Sequence, residues 1–266
     1  MNRTWEFTDL EFRVLCERYG DSRIPEPLTY LARIRYAEDY DRAKFEVWER
    51  LRATADPDLR EIIPILIRPE VSVRVLTWYD RGRDDPALWV RARGGRAGAR
   101  GYLVVQKPGE TVEHSGGYVI HDCGPRGLAE AIVRLLPPGV EAGRAGSIPV
   151  VAEHVDDLES YGGVRSLVTD DRDDSGIARS RRFFETPAER TGAVTVHQGH
   201  SRYGPRGIIE HILLWRDLPG DGRYVIELPS AAPMAVGMGR KWLTKKIDDA
   251  VETMLDRAES HWELRG

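Results

Sequence analysis

The chain has 266 residues, room for one large domain or two small ones, and its 41% hydrophobic and 31% charged residues describe a soluble globular protein. A net charge of −4 excludes a general pull toward nucleic acid or an anionic membrane, and two cysteines, Cys16 and Cys123, are too few for a disulfide framework or a thiolate zinc site. The opening residues lack the apolar core of a signal peptide, and the densest apolar run, "IIPILI" at 62–67, falls far short of the roughly 20 residues that span a bilayer. A reduced, cytoplasmic protein is expected.

The first helix is announced by Thr8 and Glu11 in capping-box spacing, with Phe7 and Phe12 placed as a hydrophobic staple, and Gly20 supplies its stop. After the Pro-bearing connection "DSRIPEPL", a second helix is predicted from about Asp39 to Ala55, burying Phe45, Val47, Trp48 and Leu51. Asp56-Pro57 opens a third, shortened or kinked by Pro64 and Pro69. From Val71 the period changes to two. "VSVRVLTWYD" sets Val71, Val73, Val75 and Thr77 against Ser72, Arg74 and Leu76, as in a half-buried strand. "LWVRAR" (88–93) and "GYLVVQK" (101–107) read as a hairpin joined by the flexible connection "GGRAGAR", and "GGYVIHDC" (116–123) as the next strand, before a helix over Leu128–Leu136. Residues 137–180 read as irregular, with a short helix near Val151–Leu158 and a solvated acidic loop, "DDRDDSG". A second strand set follows: "GAVTVHQ" (192–198), "GIIEHILLWRD" (207–217), "GRYVIEL" (222–228) and a weaker "PMAVG". The closing helix from about Lys241 carries an apolar stripe of Leu243, Ile247, Ala250, Val251, Met254, Ala258 and Trp262. Strands-then-helix occurs twice. The expectation is an α+β fold, a central antiparallel sheet built from pseudo-repeat halves of about 1–137 and 148–266 with helices flanking it.

Candidate chemistry is sparse. "DLPGDG" lies between two strands, whereas a phosphate-binding glycine loop needs a helix N-terminus after it, so Asp221-Gly222 reads as a hairpin turn. "GMGRKW" (237–242) precedes a helix but lacks the nucleotide-binding patterns and reads as a strand-to-helix turn. His197 and His200 in "HQGH" have no third ligand at an evident spacing, and surface histidines are the plainer reading. His121, Asp122 and Cys123 alternate faces on a strand, so they do not converge as nucleophile, base and orienter would. A hydrolase at either pair is the weakest reading. In "RARGGRAGARG", Arg91, Arg93, Arg96 and Arg100 sit on a Gly-rich connection, which points to a mobile hairpin tip touching a protein partner. Single-stranded nucleic acid is the alternative, without the interleaved aromatics such segments carry.

The second half resembles the EspG family of type VII (ESX) secretion chaperones of actinobacteria. The likeness rests on "FFETPAERT" at Phe183–Thr191, the strand after Gly192, Trp215-Arg216-Asp217, Pro219 and Gly222-Arg223-Tyr224. It is looser over "WEFTDLEFRVL", "PEPL" and "VSVRVLTWYD". The resemblance implies a single unit over 1–266 with a central antiparallel sheet, helical bundles and quasi-two-fold repetition. It implies a cytosolic, non-catalytic protein without cofactor or metal. Such a protein binds a PE–PPE heterodimer, masks the apolar tip of the PPE partner and keeps it soluble for one secretion system. WXG-type helical hairpins are the alternative client; nucleic acid and membrane are not expected, and either a monomer or a dimer fits. By position, the family's contact loop falls at 93–100. The expected contact residues are Trp89, Arg93, Arg96 and Arg100 around the hairpin tip, with Lys245, Lys246 and Trp262 on the closing helix.

Overall fold

The computed structural model describes residues 3–20, 23–151, 174–199 and 208–263, with the side chains beyond 257 excepted. In chain order its elements are β1 (Thr4–Phe7), α1 (Asp9–Tyr19), α2 (Ala37–Thr54), α3 (Leu59–Ile67), β2 (Val71–Trp78), β3 (Val90–Ala97), β4 (Arg100–Pro108), β5 (Ser115–Asp122), α4 (Leu128–Arg134), β6 (Ile148–Pro149), α5 (Asp174–Glu185), β7 (Arg190–Gln198), β8 (Glu210–Leu218), β9 (Gly222–Leu228), β10 (Met234–Gly237) and α6 (Arg240–Glu263). All ten described strands form one sheet in the order β1-β5-β4-β3-β2-β7-β8-β9-β10-β6, and every neighbouring pair is antiparallel. Strands from before residue 123 fill one end and strands from after residue 147 the other. They meet at the β2–β7 pair, where Val71 lies opposite Gln198 and Trp78 opposite Thr191.

The period-two patterning decides the faces. Val71, Val73 and Val75, with Ala92, Leu103, Val194, Val196, Leu213 and Trp215, all project to one side, where α4 and α6 bury them. On α6 the residues predicted as its stripe, Leu243, Ile247, Ala250, Val251 and Met254, are buried, together with Leu255; the side chains of Ala258 and Trp262 lie outside the described residues. The opposite face is covered in two separate places. At the β1-β5-β4 end, α1–α3 pack Phe12, Leu15, Ile63 and Leu66 over Val104, Tyr118 and Ile120. At the far end, Phe183 of α5, with Ile148 of β6 and Val150 just after it, covers Ile212, Leu214, Tyr224 and Ile226.

Local detail follows the sequence at several points. Thr8 and Glu11 form the capping box, with Glu11 N donating to Thr8 Oγ1 at 3.2 Å and Thr8 N to Glu11 Oε2 at 2.9 Å. Pro64 lies inside α3, which is nine residues long. Gly95 lets α3 sit directly on β3: a Cβ there would be 2.2 Å from the carbonyl oxygen of Ile65. The Asp217–Gly222 segment turns the chain between β8 and β9, closed by a hydrogen bond from Asp221 N to Leu218 O at 3.2 Å. "GMGRKW" leads from β10 into α6.

Three elements differ from the expectations. Residues 4–7 form β1, because Trp5 and Phe7 alternate with Thr4 and Glu6 beside the free edge of β5. The "GGRAGAR" connection is not a flexible loop: pairing continues to Ala97 and resumes at Arg100, so only residues 98 and 99 turn. The Gly-Gly pair belongs to the strand because its missing side chains make room for Leu128 above Gly94 and for α3 above Gly95. The end of the acidic run, with the residues after it, forms α5, whose Ile177, Ser180, Phe183 and Phe184 keep helical spacing. The helix expected near 151–158 falls, beyond Val151, outside the described residues.

Candidate functional site

Between its two coverings, the sheet is left open along β3, β2 and β7, and there the floor is polar. Register fixes its rows: Ser72, His197 and Glu210 lie side by side; then Arg93, Arg74 and Thr195; then Arg91, Leu76 and Ala193. Along the middle row the same line is apolar at both ends, Val104 under α1–α3 and Ile212 under α5. The result is an open cleft of about 500 Å³ straddling the sheet midline. Its wall on the α1–α3 side is the segment Glu26–Thr29, tied down by Thr29 N to Gln106 Oε1 at 2.8 Å, Gln106 Nε2 to Thr29 Oγ1 at 2.8 Å, and Tyr118 Oη to Thr29 O at 2.5 Å.

Arg93 is only 7% exposed and donates to three carbonyls: Leu66 (2.7 Å) and Ile67 (3.3 Å) at the C-terminus of α3, and Glu26 (3.0 Å). A guanidinium suits that helix end, whose unpaired carbonyls carry partial negative charge. Burial, with Arg74 nearby, pushes the Arg93 pKa down to about 10. Arg74 pairs with Glu26 at 3.0 Å. His197 Nδ1 is 3.7 Å from Glu210 Oε2, but burial together with Arg74 and Arg93 pushes the imidazole pKa down to about 4, so at neutral pH the contact is not an ion pair. Burial raises the Glu210 carboxyl, partly offset by Arg74.

The sequence-selected residues do not gather on one surface. Arg93 is in the cleft floor. Trp89 lies at its end rather than at a hairpin tip, its Nε1 donating to Arg83 O at 2.7 Å, its ring 5.9 Å from Trp78 and beneath the Arg91 guanidinium at 4.8 Å. Arg96 is 5% exposed on the opposite face, donating to Gly98 O at 2.7 Å with Glu252 at 3.6 Å. Arg100 pairs with Glu61 of α3. Lys245 pairs with Asp249 at 2.5 Å and Lys246 with Glu227 at 2.6 Å. A mobile arginine tip at 93–100 is therefore corrected, and so is the basic strip proposed for nucleic acid. Alternation sends Arg91 and Arg93 to one side and Arg96 to the other, and burial commits Arg93 and Arg96 to internal partners.

The hydrolase pairs fare no better. Cys123 lies in the core beneath α4, and burial pushes its thiol up to about 12, where it is no nucleophile at neutral pH. His200 lies outside the described residues. Among the described residues no group of three or more His, Cys, Asp or Glu is placed to hold a metal ion. Sequence reasoning passed over Arg74, Leu76, Thr195, Glu210 and the 26–29 wall. The available signal was the arginine in "VSVRVL": alternating against the core valines, it marks the opposite face of a central strand as open or partnered rather than packed.

A model of the EspG family matches residues 8–244. The chain belongs to the EspG family. Among solved structures it is similar to the Mycobacterium tuberculosis type VII secretion chaperone EspG5 in complex with the PE25–PPE41 dimer, at 13% identity, over 96% of both chains and with a TM-score of 0.51, a likeness of fold. No protein of curated function matches this chain in sequence. The stretch that carries the resemblance acts structurally here. Arg216 donates to the carbonyls of Phe183 (2.5 Å) and Thr186 (2.9 Å), tying the "FFETPAERT" segment to β8. Arg223 grips Asp217 through two bonds of 2.7 and 2.9 Å across the turn, and Tyr224 Oη donates to Asp221 at 2.6 Å. Gly192 admits the Trp215 ring, which lies 2.4 Å from where a Cβ would be. The segments that carry the resemblance thus brace the second half, whereas the cleft is lined by other residues.

Proposed function

We propose that this chain is a cytoplasmic, non-catalytic chaperone of type VII secretion that receives the tip of a PE–PPE heterodimer in the midline cleft. The observation that carries the reading is the opening itself. In this EspG fold α4 and α6 pack on the middle of one sheet face, and the other face is left open as a cleft of about 500 Å³ between its two coverings. A concave sheet floor suits a helical tip, and covering that tip keeps its apolar surface from aggregating. EspG5 was solved with such a dimer, and the same partner class is assigned here. On a reading of the chain as halves of about 1–137 and 148–266, the cleft would lie at their junction. High thiol pKa values at Cys16 and Cys123 and a neutral, desolvated His197 support a binding role over a catalytic one. In the described residues no helix is long and apolar enough to cross a membrane.

Co-expression with PE–PPE pairs and with WXG-type hairpins from one genome tests the proposal. One PE–PPE pair is expected to co-elute with the chain in a stoichiometric complex, and Leu76→Asp in the cleft floor to abolish it while leaving the chain folded. Capture of a WXG-type hairpin alone, or a complex untouched by Leu76→Asp, would refute it.

A further inference from the structure

The cleft is chemically lopsided about the sheet midline. Its β2–β3 side presents Arg74 and Arg91, while its β7–β8 side presents Ala193 and Thr195, with His197 and Glu210 at one end and Ile212 and Leu214 beyond. Arg93 is satisfied by three carbonyls, but the other two arginines are not used up. Among the described residues Arg74 is in ion-pair range of one carboxylate, that of Glu26, whose side chain is 76% exposed, with Glu210 within its electrostatic reach, and its buried Nε has no hydrogen-bond partner there. Arg91 donates one long bond, 3.3 Å, to Pro27 O and rests on Trp89, with no carboxylate in ion-pair range among the described residues. Arg91 and Arg74 are diagonal neighbours on adjacent strands, within the reach that lets long side chains converge on one group. A tip that covered these guanidinium groups without an acceptor would desolvate two charges uncompensated, which is strongly unfavourable.

Resting on the chaperone reading above, we propose that the cleft selects a partner tip carrying an acidic side chain, whose carboxylate binds between Arg74 and Arg91 while the apolar residues beside it lie over Leu76, Ala193 and Thr195. Glu26 shows the contact in miniature: an exposed carboxylate already rests 3.0 Å from Arg74 and yields its place to the partner's. Such a site recognises orientation as well as composition. A tip turned end for end puts its acid over Ala193 and Thr195, on the side that carries the Glu210 carboxylate, and leaves both arginines bare, so wrong partners are rejected by burial of unpaired charge.

The probe is the PE–PPE pair that co-elutes with the wild-type chain. Arg74→Gln and Arg91→Gln, each verified as folded by thermal melting, are expected to weaken binding by about ten- to a hundredfold, the size of a lost charge-assisted hydrogen bond. They should also reduce its salt dependence, whereas Arg134→Gln on exposed α4 changes neither. Arg91→Glu should regain affinity for a partner whose tip acid is replaced by arginine. Binding within about twofold of wild type for both glutamine variants overturns the carboxylate site and leaves the chaperone reading intact. Failure of the wild-type chain to capture any PE–PPE pair overturns the chaperone reading instead. A partner-free measurement decides the site in that case: succinate added to the isolated chain should shift the arginine Nε–H resonances that Arg74→Gln and Arg91→Gln abolish. No shift at millimolar succinate overturns the site.

Discussion

Removing the carboxylate of Asp217 should cost far more than an average substitution. The side chains of Asp217 and Arg223 are 4% and 1% exposed and form a bidentate pair at 2.7 and 2.9 Å. They are also direct register partners across the β8–β9 hairpin, so the pair pins that register next to the turn. In Asp217→Ala the guanidinium stays buried without a counter-charge, a situation worth about 3–5 kcal/mol. Against a total stability of about 5–15 kcal/mol, that loss brings the chain near its unfolding threshold. Urea unfolding at neutral pH, analysed by linear extrapolation, measures it. The double replacement Asp217→Leu with Arg223→Met removes both charges and keeps apolar bulk, and is expected to be less damaging than the single change. A single-mutant loss below about 1 kcal/mol, or a double mutant as unstable as the single, would refute the claim that the buried, mutually dependent charges brace the second half.

Gly95→Ala places a Cβ 2.2 Å from a backbone carbonyl of α3 and should lower stability by about 1–3 kcal/mol through overpacking, read as a drop in Tm; an unchanged Tm would mean that α3 does not rest on β3. Thr8→Ala removes half of the capping box and should cost about 1 kcal/mol by urea unfolding. For His197 the folded pKa is about 4 against an ordinary 6.5, so between those values the unfolded chain binds a proton that the folded chain refuses. Stability then falls as pH is lowered through that window, and His197→Gln should flatten that limb of the pH profile. An unaltered profile would mean that the imidazole is hydrated rather than held beneath Arg74 and Arg93.

Much of the fold could be read from residue order because it rests on short-range chemistry. The Thr8–Glu11 box, the period-two valines of β2 and the 3-or-4 stripe of α6 each report a local geometry and the side that must be buried. The cleft was less legible. Arg74 and Thr195 are 121 positions apart in sequence and adjacent in space, and nothing local marks them as neighbours. Arg93 and Arg96 misled for the converse reason. Beside glycines they look like loop residues, yet the glycines are there so that a helix and a leucine can approach the strand.

The sequence by itself determined the class of structure, α+β with an antiparallel sheet, and the family, through the "FFETPAERT" and Trp215-Arg216-Asp217 segments that brace the second half. These are properties of patterns a few residues long, set by backbone periodicity and local hydrogen bonding. Tertiary structure alone decided where the cleft proposed to receive another molecule lies. That required knowing which strands become neighbours at the midline, how far the two helical caps extend, and which arginines remain unsatisfied once the carbonyls have taken theirs. Such a surface is defined by what the fold leaves uncovered, and that is settled only when every element has found its packing partner.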